Sequence, residues 1–177
     1  IERKGNVMTR FENKTVVVTG ASSGIGAATA RRFGREGANV VLVSRTQSKL
    51  DKVAEDIPSA KVVPADLSTK EGVATAAKAA REAFGQVDVL VNNAGTAVTG
   101  SIEDVDEDGF AEVMETDVTG VWRLTKALWG DLKATKGNVV MTSSVSGIGG
   151  DWNMHAYNAA KGAVTNLTRA LALDACN

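Results

Sequence analysis

Cysteine and histidine are nearly absent: 177 residues hold one of each, Cys176 and His155. A single cysteine excludes a disulfide framework, and one Cys with one His cannot build a zinc site, so no metal is expected. Excess charge of either sign is missing too. Twenty Lys and Arg against 21 Asp and Glu leave a net −1, which gives no electrostatic case for nucleic acid or an anionic membrane surface. No apolar run reaches membrane-spanning length, and the N-terminus lacks the apolar core of a signal peptide. Cytoplasm is therefore the expected compartment. In such a chain the glycosylation-like triplets at Asn13 and Asn166 read as coincidence. Proline is scarce, at two, and no repeat or low-complexity segment breaks the sequence. The 44% hydrophobic content suits one ordinary globular domain with a real core. Residues 1–8, around Met8, read as an N-terminal extension or remnant, leaving 9–177 as the folded domain.

What is present is an alternation. Short β-branched runs at 15–19, 40–43, 61–64, 87–91 and 138–142 are bare of charge apart from Lys61 and Asp88. Ala-rich segments at 24–36, 48–56, 70–84, about 106–132 and 155–175 carry helical spacing between and after them. Apolar strands each followed by a helix predict parallel strands buried on both faces, a doubly wound α/β sheet of the Rossmann type. The long segment 106–132 is read as one helix softened by Gly109, Gly120 and Gly130. The last strand is expected to be an uncovered edge.

The first strand runs into Val18–Ala30, VTGASSGIGAATA. Gly20-Ala21-Ser22-Ser23-Gly24 fits the G-x-S-x-G elbow of serine hydrolases. That chemistry also needs an acid and then a His after the Ser. The only His is His155, with Asp151 four residues before it, an unusual triad. The alternative is a phosphate cradle. Gly20, Gly24 and Gly26 let the backbone approach a pyrophosphate, and the amides that open the next helix bind the anion. The spacing departs from the generic G-x-G-x-x-G fingerprint, and a plain glycine-rich turn stays open as a third reading.

TGASSGIG, then NNAG at 92–95, then Tyr157-Asn158-Ala159-Ala160-Lys161, in this order and spacing, resemble the short-chain dehydrogenase/reductase family over about residues 14–175. Tyr157 is the sole tyrosine, and Lys161 lies at i+4 on the same helix face. A neighbouring ammonium stabilises a phenolate, which suits Tyr157 to general acid/base work. The resemblance implies that Ser144 bonds the substrate oxygen, with Ser143 less favoured. It also aligns Asp117 with the family's relay Asn, a departure, because a carboxylate cannot donate as an amide does.

The resemblance further implies that Gly20, Ser22, Ser23, Gly24, Ile25, Gly26, Asp66, Leu67, Asn92, Ala94 and Gly95 bind the cofactor together with Tyr157 and Lys161. For Asp66, helix capping is the alternative. Users of NAD on this fold place an acid at the end of the second strand to hold the ribose. Here Ser44-Arg45 stands there, and Arg45 can pair with a 2′-phosphate. NADP(H) is expected, with NAD as runner-up. The loop Ser146–Trp152 and the segment 162–174 resemble the acetoin/2,3-butanediol dehydrogenase subgroup. Ser146, Ile148, Asn153 and Met154 are then substrate-side candidates for a small carbonyl or secondary alcohol. A 3-oxoacyl reductase or another carbonyl reductase stays open, as do a non-catalytic NADP-binding regulator and the serine hydrolase. By the same resemblance the long helices pair between subunits in a homodimer or homotetramer. Two more strands and a substrate-covering segment are expected beyond these 177 residues, so the domain is read as C-terminally incomplete.

Overall fold

A computed structural model describes residues 9–176. The expected extension over residues 1–8 falls outside that range. Five strands form one parallel sheet: β1 (Thr15–Thr19), β2 (Asn39–Ser44), β3 (Ala60–Pro64), β4 (Val89–Asn92) and β5 (Asn138–Met141). Their order is β3-β2-β1-β4-β5, with Val17 opposite Val41 and Leu90, and Leu90 opposite Val139. Six α-helices connect and flank them: α1 (Gly24–Arg35), α2 (Gln47–Ala54), α3 (Lys70–Phe84), α4 (Glu107–Met114), α5 (Val121–Thr135) and α6 (His155–Asp174). This is the expected doubly wound α/β fold.

Alternating side chains of the central strands enter two separate cores. Val17, Val41, Val43 and Leu90 pack with α3 and α5, whereas Val16, Val18, Val40, Leu42 and Val91 pack with α1 and α2. A strand covered on both faces has no polar side, so β1 is buried at all five positions. Each buried Val or Leu contributes roughly 1.5–3 kcal/mol. β5 is the sheet's outer strand and leaves Val140 48% exposed.

Element ends shift by up to about three residues from the sequence reading, and two differences have a visible structural cause. β4 starts at Val89 and not at 87. The Asp88 carboxylate accepts from Thr15 N at 2.9 Å, Lys14 Nζ at 2.8 Å and Gln86 Nε2 at 2.8 Å, and this clamp fixes the chain just before the strand. The long helix is continuous from 107 to 135, but residues Glu115–Gly120 wind as a π-helix between α4 and α5. Gly120 brings that turn against Leu67, where an added Cβ would meet the Leu67 carbonyl oxygen at 2.3 Å. A π-turn inside an α-helix often marks a functional site. Among the described residues no helix is long and apolar enough to cross a membrane, and no group of His, Cys, Asp and Glu could hold a metal ion.

The N-terminal end of the sheet carries an acid-sensitive clamp. Both Glu36 oxygens take an Arg10 nitrogen at 2.6 Å, and Arg32 adds a further bond. Hydrogen bonds from Arg10 and Arg32 hold the Glu36 carboxyl down to about 2. A carboxyl held below its unfolded value contributes stability above that value and loses it as pH falls through the folded one. Wild type should therefore lose its margin over Glu36→Gln as pH falls from 4.5 towards about 2. Melting temperatures of both proteins across that window check this, and a constant gap would contradict it.

Candidate active site

The sheet order reverses between β1 and β4, and the crevice outside the carboxyl ends of such strands is where this architecture binds ligands. A cleft of about 600 Å³ lies there. Gly20, Ser22, Ser23, Gly24, Ile25, Arg45, Asp66, Leu67, Ala94 and Gly95, all among the residues that the sequence reading assigns to a cofactor, line it. Gly20 has φ +64°, and an added Cβ would meet the Ala94 Cα at 2.9 Å. Gly26 lies buried under the loop, where a Cβ would meet the Gly20 carbonyl oxygen at 2.2 Å. Both close approaches require glycine. Ser23 is the α1 N-cap residue, but its side chain caps nothing. The first amides of α1 are left for another acceptor.

At the β2 end Arg45 is joined in the cleft wall by Lys49 from α2. Ser44 Oγ, in the same wall, is buried without a hydrogen-bond partner. Asp66 Oδ1 accepts from Ser68 N at 3.0 Å and Ser68 Oγ at 2.8 Å. These bonds, aided by the Arg45 charge, hold its carboxyl below the usual range. Capping of α3 falls to Thr69, whose Oγ1 accepts from Gly72 N at 3.0 Å.

Asn92 turns away from the cleft. Its amide is buried and donates to Thr125 Oγ1 on α5 at 2.9 Å. Asn93 lines the cleft in its place, with Thr96 and Thr116. The sequence reading passed over Asn93, although strand alternation at β4 sends neighbouring side chains to opposite faces. Thr116 belongs to the π-turn and carried no sequence signal. Thr19 Oγ1 accepts from Asn93 N and Ala94 N, both at 2.9 Å, and so locks the β4 exit to β1.

The cleft connects to the Tyr-Lys pair through one buried carboxylate. Thr96 N donates to Asp117 Oδ1 at 2.7 Å, and Asp117 Oδ2 stands 3.0 Å from Lys161 Nζ. Asp117 is wholly buried and Lys161 is 5% exposed. Lys161 also donates to the Thr142 carbonyl at the β5 exit, at 3.2 Å. Its ammonium lies 5.4 Å from the centre of the Tyr157 ring. Burial pushes the Asp117 carboxyl above the ordinary range, against the pull of the Thr96 amide and the Lys161 charge. The π-turn is what carries Asp117 to this position between Thr96 and α6.

Ser144 ends the β5 exit as the N-cap of a short 3-10 turn, Val145–Gly147. Its Oγ accepts from Ser146 N and donates to Ser146 Oγ, both at 3.1 Å. Ser143 points elsewhere, to Thr165 Oγ1 at 2.6 Å. Of the substrate-side candidates, Ser146 is buried and its hydroxyl goes to Asp151, while Ile148 is 79% exposed. Asn153 has φ +56° and its carbonyl accepts from Gly100 N at 2.9 Å, and Met154 bridges to Gly100. His155 Nε2 lies 3.3 Å from the Ser101 carbonyl and not at a serine hydroxyl, which leaves Ser22 without the base an elbow serine requires.

A family model described as short chain dehydrogenase matches residues 14–177. The chain is 47% identical over 167 residues to a meso-2,3-butanediol dehydrogenase of Serratia marcescens, covering 93% of this chain and 66% of that protein. It is 37% identical over 173 residues to oxidoreductase UcpA of Escherichia coli strain K12, covering 94% and 65%. The chain thus spans about two thirds of the length of these curated relatives. An alcohol dehydrogenase from the archaeon Thermococcus sibiricus, solved with 5-hydroxy-NADP, superposes with a TM-score of 0.88 at 34% identity, over 91% of this chain and 71% of that one.

Proposed function

Because the chain belongs to the short chain dehydrogenase family, we propose that it is an NADP(H)-dependent oxidoreductase interconverting a small carbonyl compound and its secondary alcohol. The observation that carries this reading is the Lys161 ammonium, fixed by Asp117 and the Thr142 carbonyl beside the ring of the only tyrosine.

The cleft residues fit a dinucleotide. Gly20 and Gly26 leave room only for backbone, the first α1 amides lack a side-chain cap, and a buried, unpartnered Ser44 hydroxyl lies in the cleft wall with Arg45 and Lys49. The α1 amides would hold a pyrophosphate. Arg45 and Lys49 would pair with a 2′-phosphate, and the absence of an acid at the β2 end favours NADP over NAD. Ser22 and Ser23 stand in the same wall. When bound, the cofactor supplies or takes up the hydride. Tyr157 gives a proton to the carbonyl oxygen in reduction and takes it from the alcohol in oxidation. Ser144 holds that oxygen. Lys161 holds its ammonium beside the Tyr157 ring.

The Serratia relative's name makes meso-2,3-butanediol, with the acetoin that its oxidation would give, the first substrate pair to test. Exposed Phe110 on α4 and Trp122 on α5 support self-association as a homodimer or homotetramer. The exposed, unpaired Cys176 suits a cytoplasmic location. Consumption of NADPH with acetoin, followed by its absorbance, tests the activity. For cofactor choice, Arg45→Asp should weaken NADPH binding about 10- to 100-fold, the worth of a charge-assisted bond, and change NADH binding little. Fluorescence titration with both cofactors reads this. Equal weakening of the two would contradict a 2′-phosphate contact.

A further inference from the structure

The loop after β5 contains a directed chain of hydroxyls that ends on a carboxylate. Ser144 Oγ donates to Ser146 Oγ at 3.1 Å, and Ser146 Oγ donates to Asp151 Oδ2. A carboxylate only accepts, so Asp151 fixes the direction of both bonds. Ser146 is 7% exposed, and its hydroxyl has little access to water as an alternative acceptor. Asp151 is exposed, and its carbonyl accepts from Asn158 Nδ2 on α6 at 3.2 Å. With its proton on Ser146, and one lone pair taken by Ser146 N at 3.1 Å, Ser144 Oγ presents a lone pair outward.

We propose that Asp151 is a positioning residue that, through Ser146, sets Ser144 as a hydrogen-bond acceptor at rest, so that the site receives the alcohol more readily than the carbonyl. The inference rests on the oxidoreductase reading and on Ser144 meeting the substrate oxygen. An alcohol can donate to the outward lone pair. A carbonyl cannot, and binds Ser144 only after the Ser144 proton leaves Ser146. Removing the carboxylate frees the Ser146 proton to turn onto Ser144, whose own proton then points outward.

The test compares wild type with Asp151→Ala, Asp151→Asn, Ser146→Ala and the Ser146→Ala/Asp151→Ala double variant. It uses acetoin as the carbonyl and meso-2,3-butanediol as the alcohol. Asp151→Ala should lower KM for acetoin and raise it for butanediol, each about 2- to 10-fold, the worth of one hydrogen bond. NADPH affinity should stay unchanged. Asp151→Asn keeps an acceptor oxygen and should restore the wild-type pattern. The double variant should match Ser146→Ala alone, because Asp151 acts only through Ser146. Shifts of both KM values in the same direction, or additive effects in the double variant, would overturn the inference. If wild type turns over neither compound, the choice of this substrate pair falls, and proton NMR still decides the hydroxyl chain. A slowly exchanging Ser146 hydroxyl proton is expected in wild type and Asp151→Asn and not in Asp151→Ala. Its absence from wild type would overturn the inference.

Discussion

Tyr157→Phe should lower kcat for acetoin reduction by roughly 10²–10⁴-fold, the usual contribution of a positioned general acid, far beyond any change in NADPH affinity. The substitution removes one oxygen and keeps the ring. The Lys161 ammonium, 5.4 Å from the ring centre, retains its contacts with Asp117 and the Thr142 carbonyl. Folding should therefore survive, and the loss is chemical. No other tyrosine exists to substitute for it, and the one histidine faces the Ser101 carbonyl. Steady-state kinetics with a parallel NADPH titration separates the two quantities. Full turnover in Tyr157→Phe would remove Tyr157 from proton transfer.

Lys161→Met should damage stability as well as activity. It leaves the wholly buried Asp117 without its cation, and removing one partner of a buried ion pair costs about 3–5 kcal/mol. The loss should depend on pH. Asp117 is already pushed above the ordinary carboxylate range by burial, and without Lys161 that push is less opposed. A carboxyl raised in the folded state contributes stability below its unfolded value and loses it as pH rises through the folded one. Lys161→Met should therefore approach wild type in acid and fall away from it towards neutrality. Adding Asp117→Asn should recover most of the deficit, because an amide needs no countercharge. Urea unfolding of the three proteins at several pH values measures this. A deficit independent of pH, or no recovery in the double variant, would show that Lys161 matters through packing and not through its charge.

Much of this site could be read from residue order. The strands announce themselves because β1, β2 and β4 are covered on both faces and carry no charged residue. Gly20 and Gly26 are legible for the same kind of reason: each position admits no side chain. Tyr157 and Lys161 share a helix face at i, i+4, a local relation that spacing alone fixes. Long-range relations were not legible. That Glu115–Gly120 winds as a π-turn depends on how Gly120 docks on Leu67, some fifty positions earlier in the chain. Asp117 could be aligned with a relay position from its sequence neighbours, but its burial and its contact with Lys161 follow from that winding. Asn92 and Asn93 are adjacent and chemically identical, and only the pleat of β4 decides which faces the cleft. Asp151 entered as a poor partner for His155. Its bond to Ser146 spans an irregular loop whose path no periodicity encodes.

The central claim is hydride transfer between NADP(H) and a carbonyl carbon at Tyr157. NADPH carrying deuterium at the transferred position of the nicotinamide, incubated with the protein and acetoin, tests it most directly. The expected result is oxidation of the cofactor with deuterium at the newly formed carbinol carbon, abolished in Tyr157→Phe. Cofactor that binds in the cleft and stays reduced with acetoin and with other small ketones would contradict it.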